Sequence, residues 1–130
     1  MPKPKPSTIK LQVFKGREAK LNKAIFTILA HKDPQTIYDI HKQVKVQRGL
    51  KYTRYATVNK RVRFLEELRY VDQAGIRKTK AGFEATVYTL TDKAYLAMLL
   101  DSISLEDLLV ELDDVTAITI LAEIAKAIQP

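Results

Sequence analysis

Cationic and hydroxyl side chains gather in one stretch of the sequence, from Thr53 to Val71. Arginine and lysine donate hydrogen bonds to base edges and neutralise phosphates, and threonine hydroxyls contact either group. Four apolar residues of the stretch recur at spacings of 4, 3 and 3, namely Val58, Val62, Leu65 and Leu68. This stripe predicts an amphipathic helix that buries one side. Its cationic side suits the major groove of DNA, and a solvated charged face is the alternative interpretation.

The chemistry assigns roles to particular side chains of this helix. Three are predicted to meet base edges: Arg54, Thr57 and Lys60. Thr53, near the helix N-terminus, is also predicted to contact DNA, and four others are predicted to hold the DNA backbone: Lys51, Tyr55, Arg61 and Arg63. The acids Glu66 and Glu67 come only near the end of the stretch, so positive charge is concentrated in its N-terminal half.

Charge is also divided unevenly along the chain. Residues 1–93 hold 21 of the 22 Lys and Arg and 8 of the 15 Asp and Glu, a net of +13. Residues 94–130 hold one Lys and seven acids, a net of −6. This segregation predicts a polyanion-binding body joined to a part with a different role. The Lys and Arg residues are spread over several elements and are not gathered on one amphipathic helix. This distribution favours nucleic acid over a membrane surface as the anionic partner.

Residues with catalytic or metal-binding chemistry are few. His31 and His41 are the only histidines and the sequence has no cysteine, so neither a zinc site nor a thiol nucleophile is indicated. The four glycines form no phosphate loop or dinucleotide pattern. We therefore expect a non-enzymatic protein without a metal or cofactor. No apolar run is long enough for a membrane span or signal peptide, which predicts a cytoplasmic protein.

The elements before the cationic stretch follow from composition and periodicity. Residues 1–16 contain a Lys- and Pro-rich start that predicts an extended basic arm or, alternatively, a solubilising tail. Alternation from Ile9 to Phe14 predicts a short strand. A first helix is expected from Arg17 to about His31, with apolar residues at helical spacing: Leu21, Ala24, Ile25, Ile28 and Leu29.

A second helix is predicted after Asp33-Pro34, because Asp caps helices and Pro fits a first turn. Its apolar stripe consists of Ile37, Ile40 and Val44. Gly49 supplies a turn before Thr53, so a short helix leads into a longer cationic one, which is the order of a helix-turn-helix. The connection over residues 45–52 is longer than the three or four residues of tight turns.

Two β-rich segments follow the cationic helix. They run from Val71 to Arg77 and from Glu84 to Leu90, and the residues between them include glycine and cations. This pattern predicts a hairpin whose residues 75–86 form a basic wing. Three wing cations are predicted to lie along phosphates or in the minor groove: Arg77, Lys78 and Lys80.

Short motifs in this region resemble the winged helix-turn-helix transcription regulators, especially the MarR and PadR kinds and their archaeal relatives. Thr57-Val58, Arg61-Val62 and Leu65-Glu66 are similar to the recognition-helix pattern, and VYTLTDK over residues 87–93 is similar to the segment that closes the wing. The resemblance covers residues 17–100. It implies a mainly helical α+β fold with a two-stranded wing, extra C-terminal helices and DNA binding. Arg69 and Ala94 stand where that family usually has glycine.

Three more helices are predicted after the wing. Thr91 caps one that ends near residues 101–102, Ser104 caps a short one, and the last runs from Val115 to Ile128. Ten of the fourteen residues of the last helix are apolar, which predicts a homodimer interface: Val115, Ile118, Leu121, Ile124 and Ile128. Folding of this helix onto the core of its own domain is the alternative.

Together these features predict a sequence-specific double-stranded DNA-binding protein acting as a homodimeric transcription regulator. Residues 17–93 would form the DNA-binding domain and residues 94–130 the dimerisation region. A protein-binding scaffold within a larger assembly is one alternative. RNA binding is another, for which Tyr52 and Tyr55 are the only candidate stacking residues. A pocket for a small effector is compatible with this layout, but no residue requires one.

Overall fold

A computed structural model describes residues 11–128, which divide between Asp101 and Ser102 into two compact units. The elements of the first unit, in chain order, are a 3-10 turn (Gln12–Phe14), α1 (Ala19–His31), β1 (Gln35–Thr36), α2 (Ile37–Val44), α3 (Tyr55–Glu67), β2 (Val71–Lys78), β3 (Glu84–Leu90) and α4 (Asp92–Ser102). The second unit contains α5 (Leu105–Glu111) and α6 (Asp114–Ile128). The expected class, mainly helical with a small antiparallel sheet, is confirmed.

The segment before α1 differs from the strand expected there. Gln12–Phe14 form a 3-10 turn, in which the adjacent side chains of Val13 and Phe14 are both buried. A strand would send these two neighbours to opposite faces, whereas the 3-10 turn lets both side chains join the same core cluster. The predicted basic arm and the start of the expected strand fall within residues 1–10, which lie outside the described residues.

The first three helices supply most of the core of the first unit. The apolar residues expected to face inward in α1 and α2 are buried: Leu21, Ala24, Ile25, Ile28, Leu29, Ile37, Ile40 and Val44. The rings of Phe14 and Phe26 pack edge to face, with centroids 5.2 Å apart. Because each helix presents an apolar stripe, the three stripes close around a common interior.

The start of α2 is set by Thr36 and not by the predicted Asp33 cap. The Thr36 hydroxyl accepts a hydrogen bond from the Asp39 amide at 3.1 Å. Residues 35 and 36 are extended and pair with β3, so helix formation begins only after them. The Asp33 carboxylate instead accepts hydrogen bonds from the Thr89 hydroxyl and the Leu90 amide. It therefore ties the segment before α2 to the sheet.

Helix α3 is shorter than the predicted span and ends before Leu68. The side chains of Val58, Val62 and Leu65 are fully buried, whereas Leu68 at the C-cap is 38% exposed. The stripe therefore stops one turn earlier than its sequence spacing predicts. Arg69 then has a positive φ of 66°, the backbone conformation that a glycine would adopt without strain.

The sheet has three strands in the order β1-β3-β2, all antiparallel. The predicted hairpin is present, with Val71 opposite Leu90 at its base and Lys78 opposite Glu84 near its tip. Its register shifts between Gln73 and Gly75, where the bulged strand bends. Strand β1 was not predicted from the sequence, because a strand of two residues is too short to show a period-2 pattern.

Helix α4 belongs to the first unit, which ends at Asp101. Ala94 and Ala97 are buried in the same core as the apolar residues of α1, α2 and α3. As predicted, Thr91 caps the helix, because its hydroxyl accepts a hydrogen bond from the Ala94 amide at 3.2 Å. Small side chains at these positions let α4 approach the core closely.

The second unit follows the predicted helix boundaries. Ser104 caps α5 by accepting a hydrogen bond from the Asp107 amide. Asp113 caps α6 in the same way, accepting from the Thr116 amide at 2.7 Å. Five apolar residues of α6 are more than half exposed: Val115, Ile118, Leu121, Ile124 and Ile128.

Candidate nucleic-acid interface

The outer face of α3 carries the cations expected from the sequence. Arg54, Thr57 and Lys60 are exposed, and Arg54 is the N-cap residue of the helix. On the opposite face of the same helix, Val58 and Val62 have no exposed surface. Each residue of an α-helix is rotated by roughly 100° from the previous one. The apolar stripe therefore directs Lys60 outward. Thr57 lies at the flank of the stripe, and Arg54 is exposed as the extended N-cap residue that precedes the first turn.

The connection between α2 and α3 is held in place by His41. Its Nε2 lies 2.8 Å from the carbonyl oxygen of Thr53, and its ring packs edge to face against Tyr55 with centroids 5.7 Å apart. Since a carbonyl only accepts, Nε2 carries the proton in this contact. His41 thus positions the start of α3.

Arg61 occupies a different environment from its neighbour Lys60. Its guanidinium lies 3.3 Å from the Glu18 carboxylate and 5.0 Å from the centre of the Phe64 ring. The Arg61 side chain is only 17% exposed. These contacts direct it toward α1, which argues against the backbone-holding role expected from the sequence.

Arg63 and Tyr55 line a groove between α3 and the sheet. The cavity there has a volume of about 290 Å³, and its other polar walls come from β1, α2, α3 and β3: Thr36, Tyr38, Asn59, Glu84, Thr86 and Tyr88. Arg63 donates a hydrogen bond from Nε to the Asn59 amide oxygen at 3.2 Å. Burial raises the pKa of the Tyr88 phenol, and the Glu66 carboxylate raises it further, so Tyr88 remains neutral.

The three wing cations have different surroundings. The Arg77 guanidinium donates to the carbonyl oxygen of Pro34 at 3.1 Å and lies 3.5 Å from the Asp39 carboxylate, so the start of α2 holds it. Lys78 and Lys80 are exposed toward the tip of the hairpin. Two of the three wing side chains predicted to contact DNA, Lys78 and Lys80, are therefore exposed to solvent, whereas Arg77 joins the wing to α2.

A second cavity brings cations from the region of α1 next to the start of α3. It has a volume of about 610 Å³, and Arg17 and Lys20 at the start of α1 line it together with Arg54 and Thr57. The Lys20 ammonium passes close to Gly49, where a side chain would meet it. The long separation of residues 17–20 from residue 54 explains why periodicity alone does not reveal this cluster.

Tyr38 and Lys42 on α2 extend the cationic surface in another direction. The Lys42 ammonium lies 5.5 Å from the centre of the Tyr38 ring, which is 60% exposed. Lys51, in the connection, is likewise exposed and lies over Tyr52. In helix-turn-helix proteins the first helix of the motif crosses the DNA backbone, so cations on α2 are suited to phosphate contacts.

Within residues 11–128, no three His, Cys, Asp or Glu side chains come together as a metal site would require. None of the helices in this described range has both the length and the apolar character needed to cross a membrane.

The fold and the cationic surface define a class of protein. A short helix, a connection and a longer basic helix, followed by an antiparallel hairpin, constitute a winged helix-turn-helix. The predicted fold is therefore confirmed.

Comparison with solved structures leads to the same fold. The chain is similar to a PadR-like transcriptional regulator from Bacillus cereus, with a TM-score of 0.52 and 12% identity over 92% of this chain and 99% of that one. It is also similar to a protein described as a transcriptional regulator from Thermoplasma acidophilum, with a TM-score of 0.53 and 16% identity over 87% of this chain and 100% of that one. Diamide-treated YodB from B. subtilis matches with a TM-score of 0.51 and 17% identity over 68% of this chain and 75% of that one. No family model and no curated protein matches the chain.

Proposed function

We propose that the protein is a cytoplasmic, sequence-specific double-stranded DNA-binding protein that regulates transcription as a homodimer. The observation that carries this proposal is the arrangement of α3, whose apolar face is fully buried while Arg54 and Lys60 project into solvent. A helix mounted in this way can enter a major groove about 12 Å wide without disturbing the core. The PadR-like and transcription-regulator descriptions of two structural neighbours support the same function.

In this proposal the position of each side chain on α3 decides which part of the DNA it contacts. Arg54, Thr57 and Lys60 meet base edges, because they are exposed at the N-cap and in the first two turns. Recognition helices of this type read bases through their N-terminal residues. Thr53 lies just before that end and is half-buried, so its role is to shape the entry to the helix.

Backbone contacts come from residues around the edge of α3. Lys51, Tyr55 and Arg63 are exposed there, and the newly located pair Arg17 and Lys20 adds charge beside Arg54. Lys78 and Lys80 on the wing supply phosphate or minor-groove contacts. Arg61 is omitted from this set because of its contact with Glu18.

A binding experiment tests the proposal directly. A duplex selected from random oligonucleotides with the intact protein is compared with RNA of the same sequence in a mobility-shift assay at two salt concentrations. We expect duplex binding that weakens steeply with salt, with a slope of about −0.9 per neutralised phosphate. The double variant Arg54→Glu/Lys60→Glu should lose binding, whereas Lys126→Gln, a cation of the second unit, should keep it.

The same experiment separates the alternatives. Absence of any duplex binding would overturn the proposal, and retention of biological activity in the charge-reversed variant would favour a protein-binding scaffold instead. Tighter binding to RNA than to the duplex would make the protein an RNA binder.

The homodimer is proposed from the exposed apolar side chains of α6. Ile118, Leu121 and Ile124 recur every three residues and are 65%, 65% and 53% exposed. Contiguous apolar surface of this kind marks an interaction site in soluble proteins. A twofold interface through α6 would bury these side chains and present two copies of α3 to one duplex.

Sedimentation equilibrium of the whole chain tests the dimer. The double variant Ile118→Asp/Leu121→Asp should sediment as a monomer, because two carboxylates cannot be buried unpaired in a twofold contact. Its circular dichroism spectrum should stay helical, and Thr119→Ser, on the polar stripe of α6, should leave the dimer intact. A monomeric wild-type chain would overturn this part of the proposal.

A further inference from the structure

The tip of the wing is a closed turn built on one threonine. The Thr79 amide donates to the carbonyl oxygen of Phe83 at 2.7 Å, and the Thr79 hydroxyl accepts from the Phe83 amide at 3.2 Å. The Gly82 amide donates to the Thr79 carbonyl at 3.0 Å, and Gly82 has a φ of 85° that favours glycine. Both backbone groups of Phe83 are therefore bonded to the same residue, which fixes the position of Phe83 at the tip.

This fixed backbone presents an apolar ring to solvent. Phe83 is 73% exposed, and the cations Lys78 and Lys80 lie within five residues of it in the same hairpin. A large exposed aromatic side chain in a cationic surrounding has no role in the core of its own unit. Aromatic groups flanked by Lys are suited to nucleic acid, where a ring meets bases and the ammonium groups meet the adjacent phosphates.

We propose that Phe83 is an apolar wedge that enters the minor groove and partly unstacks one base step, while Lys78 and Lys80 hold the phosphates on either side. This inference rests on the proposed DNA-binding function and deepens it. Proteins that insert an apolar side chain in this way kink the duplex by about 20–90°. The wing would then act as a bending element in addition to a charged contact.

The wedge also makes a prediction about sequence. Pyrimidine–purine steps unstack with the least cost, so the base step beneath the wing should be TA or CA/TG. This preference would arise from DNA deformability and not from hydrogen bonds to base edges. A change of that step to a stiff A-tract should therefore weaken binding by the intact protein without altering contacts of α3.

The experiment uses a duplex selected by the wild-type chain and labelled at both ends for fluorescence energy transfer. Phe83→Ala should reduce the measured bend and weaken binding by about tenfold, within the range caused by loss of one aromatic–base contact. Its salt slope should stay unchanged, because no charge is removed. Phe83→Leu should restore much of the bend, and Ile76→Ala, which removes another exposed apolar side chain from the same hairpin, should leave the bend unaltered.

The outcomes separate this inference from the proposed function. If the wild-type chain selects no duplex, both fail together. If it binds its duplex but Phe83→Ala bends that duplex as strongly as the wild type, only the wedge is overturned. An equal loss of bending in Ile76→Ala, or a change of oligomeric state in Phe83→Ala, would also overturn it, because the ring would then act as general apolar surface or as a contact between copies.

Discussion

Neutralising two adjacent cations of α3 should have opposite consequences. Lys60 is exposed on the outer face, whereas Arg61 pairs with Glu18 and lies over Phe64. We therefore expect Lys60→Gln to weaken DNA binding without affecting folding. Arg61→Gln should lower the stability of the first unit without changing the salt dependence of binding.

The magnitudes follow from the two environments. Loss of the Lys60 charge from the DNA interface, counted as one neutralised phosphate, should make the log–log salt slope shallower by about 0.9 per chain. The Arg61–Glu18 pair is partly exposed on both sides, at 17% and 46%, so its contribution is at most about 1 kcal/mol. The contact between the Arg61 guanidinium and the Phe64 ring contributes roughly another 0.5–1 kcal/mol to the stability of the unit. A total of about 0.5–2 kcal/mol in a unit of this size corresponds to a fall in Tm of about 2–16 °C.

Fluorescence anisotropy between about 50 and 200 mM salt measures the slope, a range over which phosphate contacts change affinity strongly. Calorimetry of the free protein measures Tm. Glu18→Gln is the matched control, because it removes the partner of Arg61 and should lower Tm while leaving the phosphate contacts in place. If Arg61→Gln flattened the slope as Lys60→Gln does, and left Tm unchanged, Arg61 would face the DNA and the reasoning from its contacts would be wrong.

Three further predictions concern the scaffold. Arg69→Gly should raise Tm by a few degrees, because glycine adopts the φ of 66° without the cost of about 1 kcal/mol that an L side chain incurs; an unchanged or lower Tm by calorimetry would contradict this. Asp33→Ala should cost about 1 kcal/mol in urea unfolding, because the Leu90 amide and the Thr89 hydroxyl lose their acceptor, whereas Asp72→Ala on exposed β2 should cost less. The hydrogen bond from the Thr116 amide holds the pKa of the Asp113 carboxyl below its ordinary value of 3.8. Because this folded-state pKa is lowered, the cap should stabilise α6 fully above pH 3.8 and be lost as the pH falls through the lower value. A circular dichroism difference between the wild type and Asp113→Ala should therefore persist down to pH 3.8 and fade below it.

Much of the fold was predictable because it depends on local patterns. The stripes of α1, α2 and α3 repeat at the helical period, and Thr91 and Ser104 are capping residues immediately before their helices. The hairpin was predictable from two β-rich segments separated by glycine and cations. By contrast, β1 has only two residues, and Asp33 bonds to residues more than 50 positions away. Nothing in the neighbouring sequence signals either feature.

The candidate site shows the same division. The sequence located a cationic helix and a basic wing, but it could not distinguish Lys60 from Arg61, which are equally basic and adjacent. Their difference arises because residue 61 faces Glu18 across the packed interface between α3 and α1. Likewise, Arg77 pairs with Asp39 near the start of α2. Arg17 and Lys20 lie beside Arg54 only because α1 packs against the start of α3.

The amino-acid sequence by itself determined where most helices and the hairpin form and where positive charge accumulates, since periodicity, capping and charge are properties of near neighbours along the chain. Tertiary structure alone decided which cations remain free to meet an anion. A charge is available or already paired according to what folding brings within a few ångströms of it, and those partners come from distant parts of the chain.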